Sequence, residues 1–327
     1  MTPPARIWSP APEQQSSRCP PAYRAVPTAP GQAPSSVART PRPPAEPRER
    51  GQFRAFLETR GIVGGHRTPG RHLHLHTEDA VRLRGTYLPG PNPGGPAVVV
   101  LHGLFSHRRK PAYAYLADRL AEWGAVLAID LRGHGRSRGV STLGDLEALD
   151  AEAAARWLRA HGHPWVALVG MSMGGTTAIH AVHRRADVDA AVVISAPAEF
   201  REDPPGEPMQ RLRRMWDSSF ARAGVRAAIG VRLVPPARWG KPPHPEQMAR
   251  DAHVPLLVVH GEDDDYFPIS DAERLAAAAG DGARLWRAER FGHAEDGVNA
   301  AFADALIAAL DQVHATGRFP SRKDVGW

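Results

Sequence analysis

From residue 71 onward the chain carries two kinds of hydrophobic pattern in alternation. "RHLHLHT" (71–77) and "VRLRGTYL" (81–88) alternate apolar and polar positions with period two, which predicts two strands, each with one half-buried face. "AVVVLHG" (97–103), "AVLAIDL" (125–131), "WVALVG" (165–170), "DAAVVISAPAE" (189–199) and "PLLVVHG" (255–261) are nearly continuous apolar runs rich in branched residues. Runs of that length suit strands buried on both faces. A last strand is predicted at "ARLWRAE" (283–289). Helix-length segments separate the strands, at 112–123, with Leu116, Leu120 and Trp123 on one face, and at 143–161, 174–185, 271–279 and 301–313. Strands alternating with helices imply βαβ units, and so an α/β fold with a mainly parallel central sheet flanked by helices on both faces. No internal repeat is evident.

The alternation fails over about 198–250, after the sixth strand. That stretch opens Pro-rich with "REDPPGEP", and "MQRLRRMWDSSFARAGVRAAIGVRL" follows, placing Met209, Leu212, Trp216 and Phe220 on one helical stripe. An insertion of two helices there is expected to form a short lid over the carboxyl edge of the sheet, where open α/β sheets bind ligands.

Composition adds a boundary at the other end. The first 50 residues hold 13 of the 32 prolines and few aromatic or branched apolar residues, too little to offset the entropy of ordering. Residues 1–52 are therefore expected to be a disordered Pro/Arg-rich tail, 65–316 one folded domain, and 317–327 a C-terminal tail. Seven Arg and three Glu in the first 50 residues account for +4 of the formal +6, so a chain-wide basic surface for nucleic acid is not expected. Cys19 is the only cysteine, which rules out an intramolecular disulfide and fits a cytoplasmic setting. No apolar run is long enough for a membrane helix or a secretory signal, so no integral membrane association is expected. Oligomeric state is not legible.

The candidate chemistry starts at Gly170-Met171-Ser172-Met173-Gly174, a G-x-S-x-G pattern with an apolar strand before it and a helix after it. A serine on so tight a turn presents its hydroxyl clear of the sheet, and side chains two residues to either side would collide. The helix that follows brings amide N–H groups beside it, suited to a developing oxyanion. A serine needs a base, and the base an orienting acid. "HGEDDDYFP" after strand 255–261 and "RFGHAED" after strand 283–289 supply them on the same sheet edge, with His293 as base and Asp264 as acid. Asp263 and Asp265 flank Asp264, and Glu199, after strand 190–196, is a second position for the acid.

Over roughly residues 70–315 the chain resembles the α/β-hydrolase fold serine hydrolases. Four blocks carry the resemblance: "LHGLFS", "AIDLRGHGRS", "GMSMGG" and "HGEDDDYFP…FGH". Within them it looks most similar to the bacterial monoglyceride-lipase-like and serine-aminopeptidase-like branch. The resemblance implies the acid at Asp264 and oxyanion-hole amides at Leu104 and Met173. It implies no cofactor and no metal, and a small-molecule ester substrate cleaved through an acyl-enzyme on Ser172. An amidase or peptidase, or a cofactor-free haloperoxidase or perhydrolase, would use the same triad, and a non-catalytic ligand-binding protein would ordinarily have lost a member of it.

Three further features have blander readings. His72, His74 and His76 share one strand face, but three ligands in a row on a strand do not converge as zinc requires. Within the insertion, residues 209–241 carry Arg211, Arg213, Arg214, Arg222, Arg226, Arg232, Arg238 and Lys241 against Asp217, which suggests an anionic head group or an acidic membrane surface. Charge runs on helices are ordinarily solvated, so a wet outer face with the apolar stripe turned inward is the expectation. That stripe, through Trp216 and Phe220, is expected to line an acyl pocket with Phe105 and Phe267.

Overall fold

A computed structural model describes residues 64–204 and 206–327. The expected tail over 1–52 lies outside the described residues. The apolar runs form five strands buried at every position: β3 (Ala97–Leu101), β4 (Ala125–Asp130), β5 (Val166–Met171), β6 (Ala190–Ile194) and β7 (Leu256–Gly261). The period-two segments form β1 (Arg71–His76) and β2 (Arg82–Leu88), and β8 (Ala283–Ala288) closes the far edge. The eight strands lie in the order β1-β2-β4-β3-β5-β6-β7-β8. β2 runs antiparallel to both β1 and β4, and the remaining pairs are parallel.

Because β-strand side chains alternate, each buried strand feeds two cores. Val99, Leu101, Leu127, Leu168, Val193 and Val258 face α2 (Glu147–Ala160), α3 (Met173–His183) and α7 (Ile269–Ala279). Val98, Val100, Val126, Val169, Val192 and Leu257 face α1 (Pro111–Leu120) and α8 (Ala300–Thr316). After β3 the chain goes to one side for β4 and then crosses to the other for β5. This reversal opens a crevice at the carboxyl ends of β3 and β5, the place where such sheets take ligands.

Residues 317–327, expected as a tail, lie against the domain instead. Phe319 is buried, Trp286 donates its indole N–H to Pro320 O (3.0 Å), and the Trp327 ring packs on Trp286, Phe291 and Phe302. Two aromatic residues at the end of the chain give the segment an apolar payload that its short length conceals.

The insertion between β6 and β7 holds α4 (Glu207–Asp217), α5 (Ser219–Ile229) and the short α6 (Pro245–Ala249). Its two ends meet, with Glu246 N–H donating to Ala198 O (2.8 Å) and Arg274 bridging Glu199 and Glu246. Its middle is laced to the loop after β4, since Ser141 N–H donates to Arg232 O (2.7 Å) and Val234 N–H to Ser141 O (2.9 Å). The single stripe read through Phe220 does not exist. Ser218 adopts extended backbone and caps a new helix, its hydroxyl accepting from Ala221 N–H (3.2 Å). Phe220 therefore falls on α5 and is 89% exposed, so its expected place in the pocket is corrected. Trp216 stays inside, donating to Val234 O (2.7 Å) and packing edge-on against Trp239.

On β1, His72 Nδ1 lies 3.0 Å from Thr86 Oγ1 and His74 Nε2 2.6 Å from Arg84 Nη1. Among the described residues no group of three or more His, Cys, Asp or Glu is placed to hold a metal.

Candidate active site

Ser172 stands at the junction of β5 and α3 with φ 53° and ψ −118°, a region that a non-glycine residue occupies only when its surroundings compel it. Two close approaches do the compelling. A Cβ on Gly170 would lie 2.1 Å from Gly174 O, and one on Gly174 would lie 2.3 Å from Leu101 O. The turn is thus wedged between its own backbone and the end of β3. Ser172 N–H donates to Ile194 O (2.8 Å), tying the turn to β6 as well.

His293 follows β8 and Asp264 follows β7, and both reach the serine. His293 Nε2 lies 3.0 Å from Ser172 Oγ, and its Nδ1 lies 3.0 and 2.9 Å from the two Asp264 carboxylate oxygens. With Nδ1–H donating to the carboxylate, Nε2 is left to accept from the serine hydroxyl. The Asp264 side chain is fully enclosed. Burial alone would raise its pKa, but the hydrogen bond and charge of His293, helped by the Phe267 amide, outweigh it and hold the carboxyl below its ordinary range. Tyr266 N–H and Phe267 N–H both donate to Asp264 Oδ1, at 2.9 and 3.0 Å. Asp263 and Asp265 make no such approach, and Glu199 is engaged by Arg201 (2.8 Å) and Arg274 (2.9 Å).

The Leu104 and Met173 amides donate to no protein acceptor among the described residues. The loop bearing Leu104 is fixed from behind. Gly103 N–H donates to Tyr113 Oη (2.9 Å), His102 Nδ1–H to Gly103 O (2.8 Å), and Phe105 N–H points at His134 Nε2 (3.4 Å). A Cβ on Gly103 would lie 3.4 Å from Ser172 Cβ, so the loop passes directly beside the serine. Burial pushes both His102 and His134 below their ordinary pKa, His102 far below, so each serves as a neutral donor and acceptor.

A cavity of about 1360 Å³ opens above the serine between the sheet edge and the insertion. Leu104, Phe105, Leu212, Trp216, Ile229 and Phe267 are among its apolar lining, while Lys110, Arg201 and Lys241 add charge. Phe267 packs edge-on against the His293 ring at 5.5 Å. Phe220 is not part of the lining.

Several residues with roles at the site escaped the sequence reading. Tyr266 stacks on the His293 imidazole, with ring centroids 4.3 Å apart and planes at 28°. Ser195, at φ 51°, accepts from Ala294 N–H (2.9 Å) and so fastens the histidine loop to the end of β6. His260 Nε2 lies 2.9 Å from Phe267 O and 3.5 Å from Asp264 Oδ2. Tyr113 supplies the acceptor for Gly103. Of these only Tyr266 left a trace, in the aromatic pair directly after the acid. The others act through backbone groups that no motif marks.

A family model described as serine aminopeptidase, S33, matches residues 95–239. The chain is 31% identical over 230 residues to an uncharacterized protein of Mycobacterium tuberculosis, covering 68% of this chain and 72% of that one. It is 28% identical to the monoacylglycerol lipase of Mycolicibacterium smegmatis, over 58% of this chain and 77% of the relative. Among solved structures, the Pyrococcus furiosus esterase Pf2001 superposes with a TM-score of 0.59 at 19% identity, over 77% of this chain and 98% of that one. A wedged serine turn on this sheet, together with these likenesses, places the chain in the family of α/β-hydrolase fold serine hydrolases.

Proposed function

We propose that the protein hydrolyses carboxylic esters through an acyl-enzyme on Ser172, with a long apolar acyl chain as the preferred substrate group. The observation that carries the reading is the His293 imidazole bridging Ser172 Oγ at 3.0 Å and the buried Asp264 carboxylate at 2.9 Å. Ester-cleaving relatives, the monoacylglycerol lipase among them, support the leaving group. A cavity larger than the roughly 300–1,000 Å³ of ordinary small-ligand pockets supports the chain length.

His293 Nε2 takes the Ser172 proton as Oγ attacks the ester carbonyl, and the carbonyl π electrons move to oxygen. The Leu104 and Met173 amides receive that oxyanion, each worth about 3 kcal/mol of barrier. As the tetrahedral carbon collapses, the C–O bond to the alcohol breaks and His293 returns its proton to the leaving oxygen. Water, deprotonated by His293, then attacks the acyl-serine, and the acid leaves with Ser172 regaining its proton. Asp264 holds the imidazole tautomer throughout and stabilises the imidazolium. The insertion acts as a lid that excludes water and receives the acyl chain.

The test is hydrolysis of p-nitrophenyl esters from acetate to laurate by wild type and Ser172→Ala. Wild-type kcat/KM is expected to rise with chain length, and the variant to lose on the order of 10⁶-fold in kcat. Folded wild-type protein that hydrolyses none of the series, with Ser172 unlabelled by a fluorophosphonate, overturns the reading.

A further inference from the structure

α5 carries few polar side chains, and its outer side meets nothing among the described residues. Its polar side chains are confined to Ser219, Arg222 and Arg226. Val225 and Ile229 turn toward the cavity. The opposite side presents Phe220, Ala223, Gly224 and Ala227 to solvent, Phe220 at 89% exposure and with open space around Gly224. A surface helix ordinarily turns a polar face outward, and one that is apolar on both sides has a further partner.

The charges beside it say which kind. On the preceding helix the carboxylates of Glu207 and Asp217 are taken by Arg211 and Arg213. Among the described residues, Arg214, in the last turn of α4, and Arg226, on the rim of the apolar face, pair with no carboxylate. A large aromatic residue standing out of a helix with an unpaired arginine at its rim, and a second exposed on the helix before it, is the composition of an interfacial helix on an anionic bilayer. A second copy of the chain fits less well. An eleven-residue helix is about 16 Å long, so its outer face offers far less than the roughly 800 Å² per partner of a stable interface. Self-pairing would also bring the same arginines together.

We propose that the outer face of α5, led by Phe220 and edged by Arg226, docks on an anionic lipid surface, with Arg214 exposed on the helix before it. The inner side of the same helix lines the cavity above Ser172, so docking sets the lipid layer against the roof of the cavity. The docking stands independently of the hydrolase reading, and the test keeps the two apart.

The experiment is co-sedimentation of the full chain, in a Ser172→Ala background so that lipid is not consumed. The vesicles are phosphatidylcholine alone or phosphatidylcholine mixed with phosphatidylglycerol. The parent chain is expected to sediment with the mixed vesicles and weakly or not at all with phosphatidylcholine alone. Phe220→Asp, and separately Ala227→Glu on the same face, are expected to lower the bound partition on the order of tenfold. Both side chains face solvent, and a thermal unfolding midpoint equal to the parent's, read by circular dichroism, confirms that each variant is folded. Binding to mixed vesicles that neither variant weakens is carried elsewhere on the chain and overturns the proposal. So does a lipid-free dimer that Phe220→Asp dissolves, since the occupant is then a second copy.

Discussion

Two neutral histidines carry the loop that presents Leu104, and their neutrality has a cost in acid. His102 is almost wholly buried, donating from Nδ1 to Gly103 O and accepting at Nε2 from Leu131 N–H (3.0 Å). Protonation would cost it that acceptor as well as the price of a buried charge, with His134 close by at a ring separation of 5.1 Å. Its folded-state pKa is therefore depressed, chiefly by burial. Below an ordinary histidine pKa of about 6.5 the unfolded chain binds the proton and the folded chain does not, so stability is intact above that pH and falls beneath it. The slope is about 1.4 kcal/mol per pH unit for one such residue. Denaturant unfolding between pH 7.5 and 5 is expected to show this slope, and His102→Gln to be less stable at pH 7.5 but flatter by about that amount. An unchanged slope in the variant would remove His102 from the account. At this scale the sequence is most readable where a residue acts through its own side chain. Ser172 and His293 could be proposed from the G-x-S-x-G turn and the strand ends that follow it, while Asp264 was picked from its acidic neighbours by the family resemblance. Tyr113, His134, Ser195 and His260 could not, since each works by holding another residue's backbone or ring in place.

At the scale of the elements, the serine turn and the insertion differ in how tightly their neighbours constrain them. Gly174 meets the backbone of β3 and of His102 on one side, a Cβ there falling 2.3 Å from Leu101 O and 2.9 Å from His102 O. Gly174→Ala is expected to cost about 1–3 kcal/mol of stability as α3 is forced off β3, with fluorophosphonate labelling of Ser172 lost in the same protein. Gly224→Ala in α5, where nothing lies within 4 Å, is expected instead to stabilise by up to about 1 kcal/mol. Equal thermal shifts for the two would refute this contrast. The core strands were legible because burial on both faces writes a continuous apolar run. The break at Ser218 was not, because Met209, Leu212, Trp216 and Phe220 keep helical spacing across it. Only the Ser-Ser pair hinted at a cap, and a hydrophobic stripe outweighs such a hint when periodicity is the guide.

For the molecule as a whole, the sheet is closed at its β8 edge by the end of the chain. Phe319 is buried, and Trp327 joins Trp286, Phe291 and Phe302 in one aromatic group. Removing residues 319–327 is expected to lower stability by on the order of 3 kcal/mol, read as a lower unfolding midpoint. A midpoint equal to that of the full chain would show the segment to be dispensable. The order of strands and helices along the chain and the mainly parallel sheet followed from alternation alone. The aromatic closure did not, because eleven residues beyond the last helix carry no periodicity to read. The insertion has a different relation to the whole. Its ends are already joined by the hydrogen bond from Glu246 N–H to Ala198 O, and loop closure depends only weakly on what lies between two joined ends. The segment from 199 to 245 is therefore a cassette. It can be lengthened, shortened or exchanged while the strands bearing Ser172, Asp264 and His293 keep their positions, so the choice of substrate can be inherited separately from the chemistry performed on it.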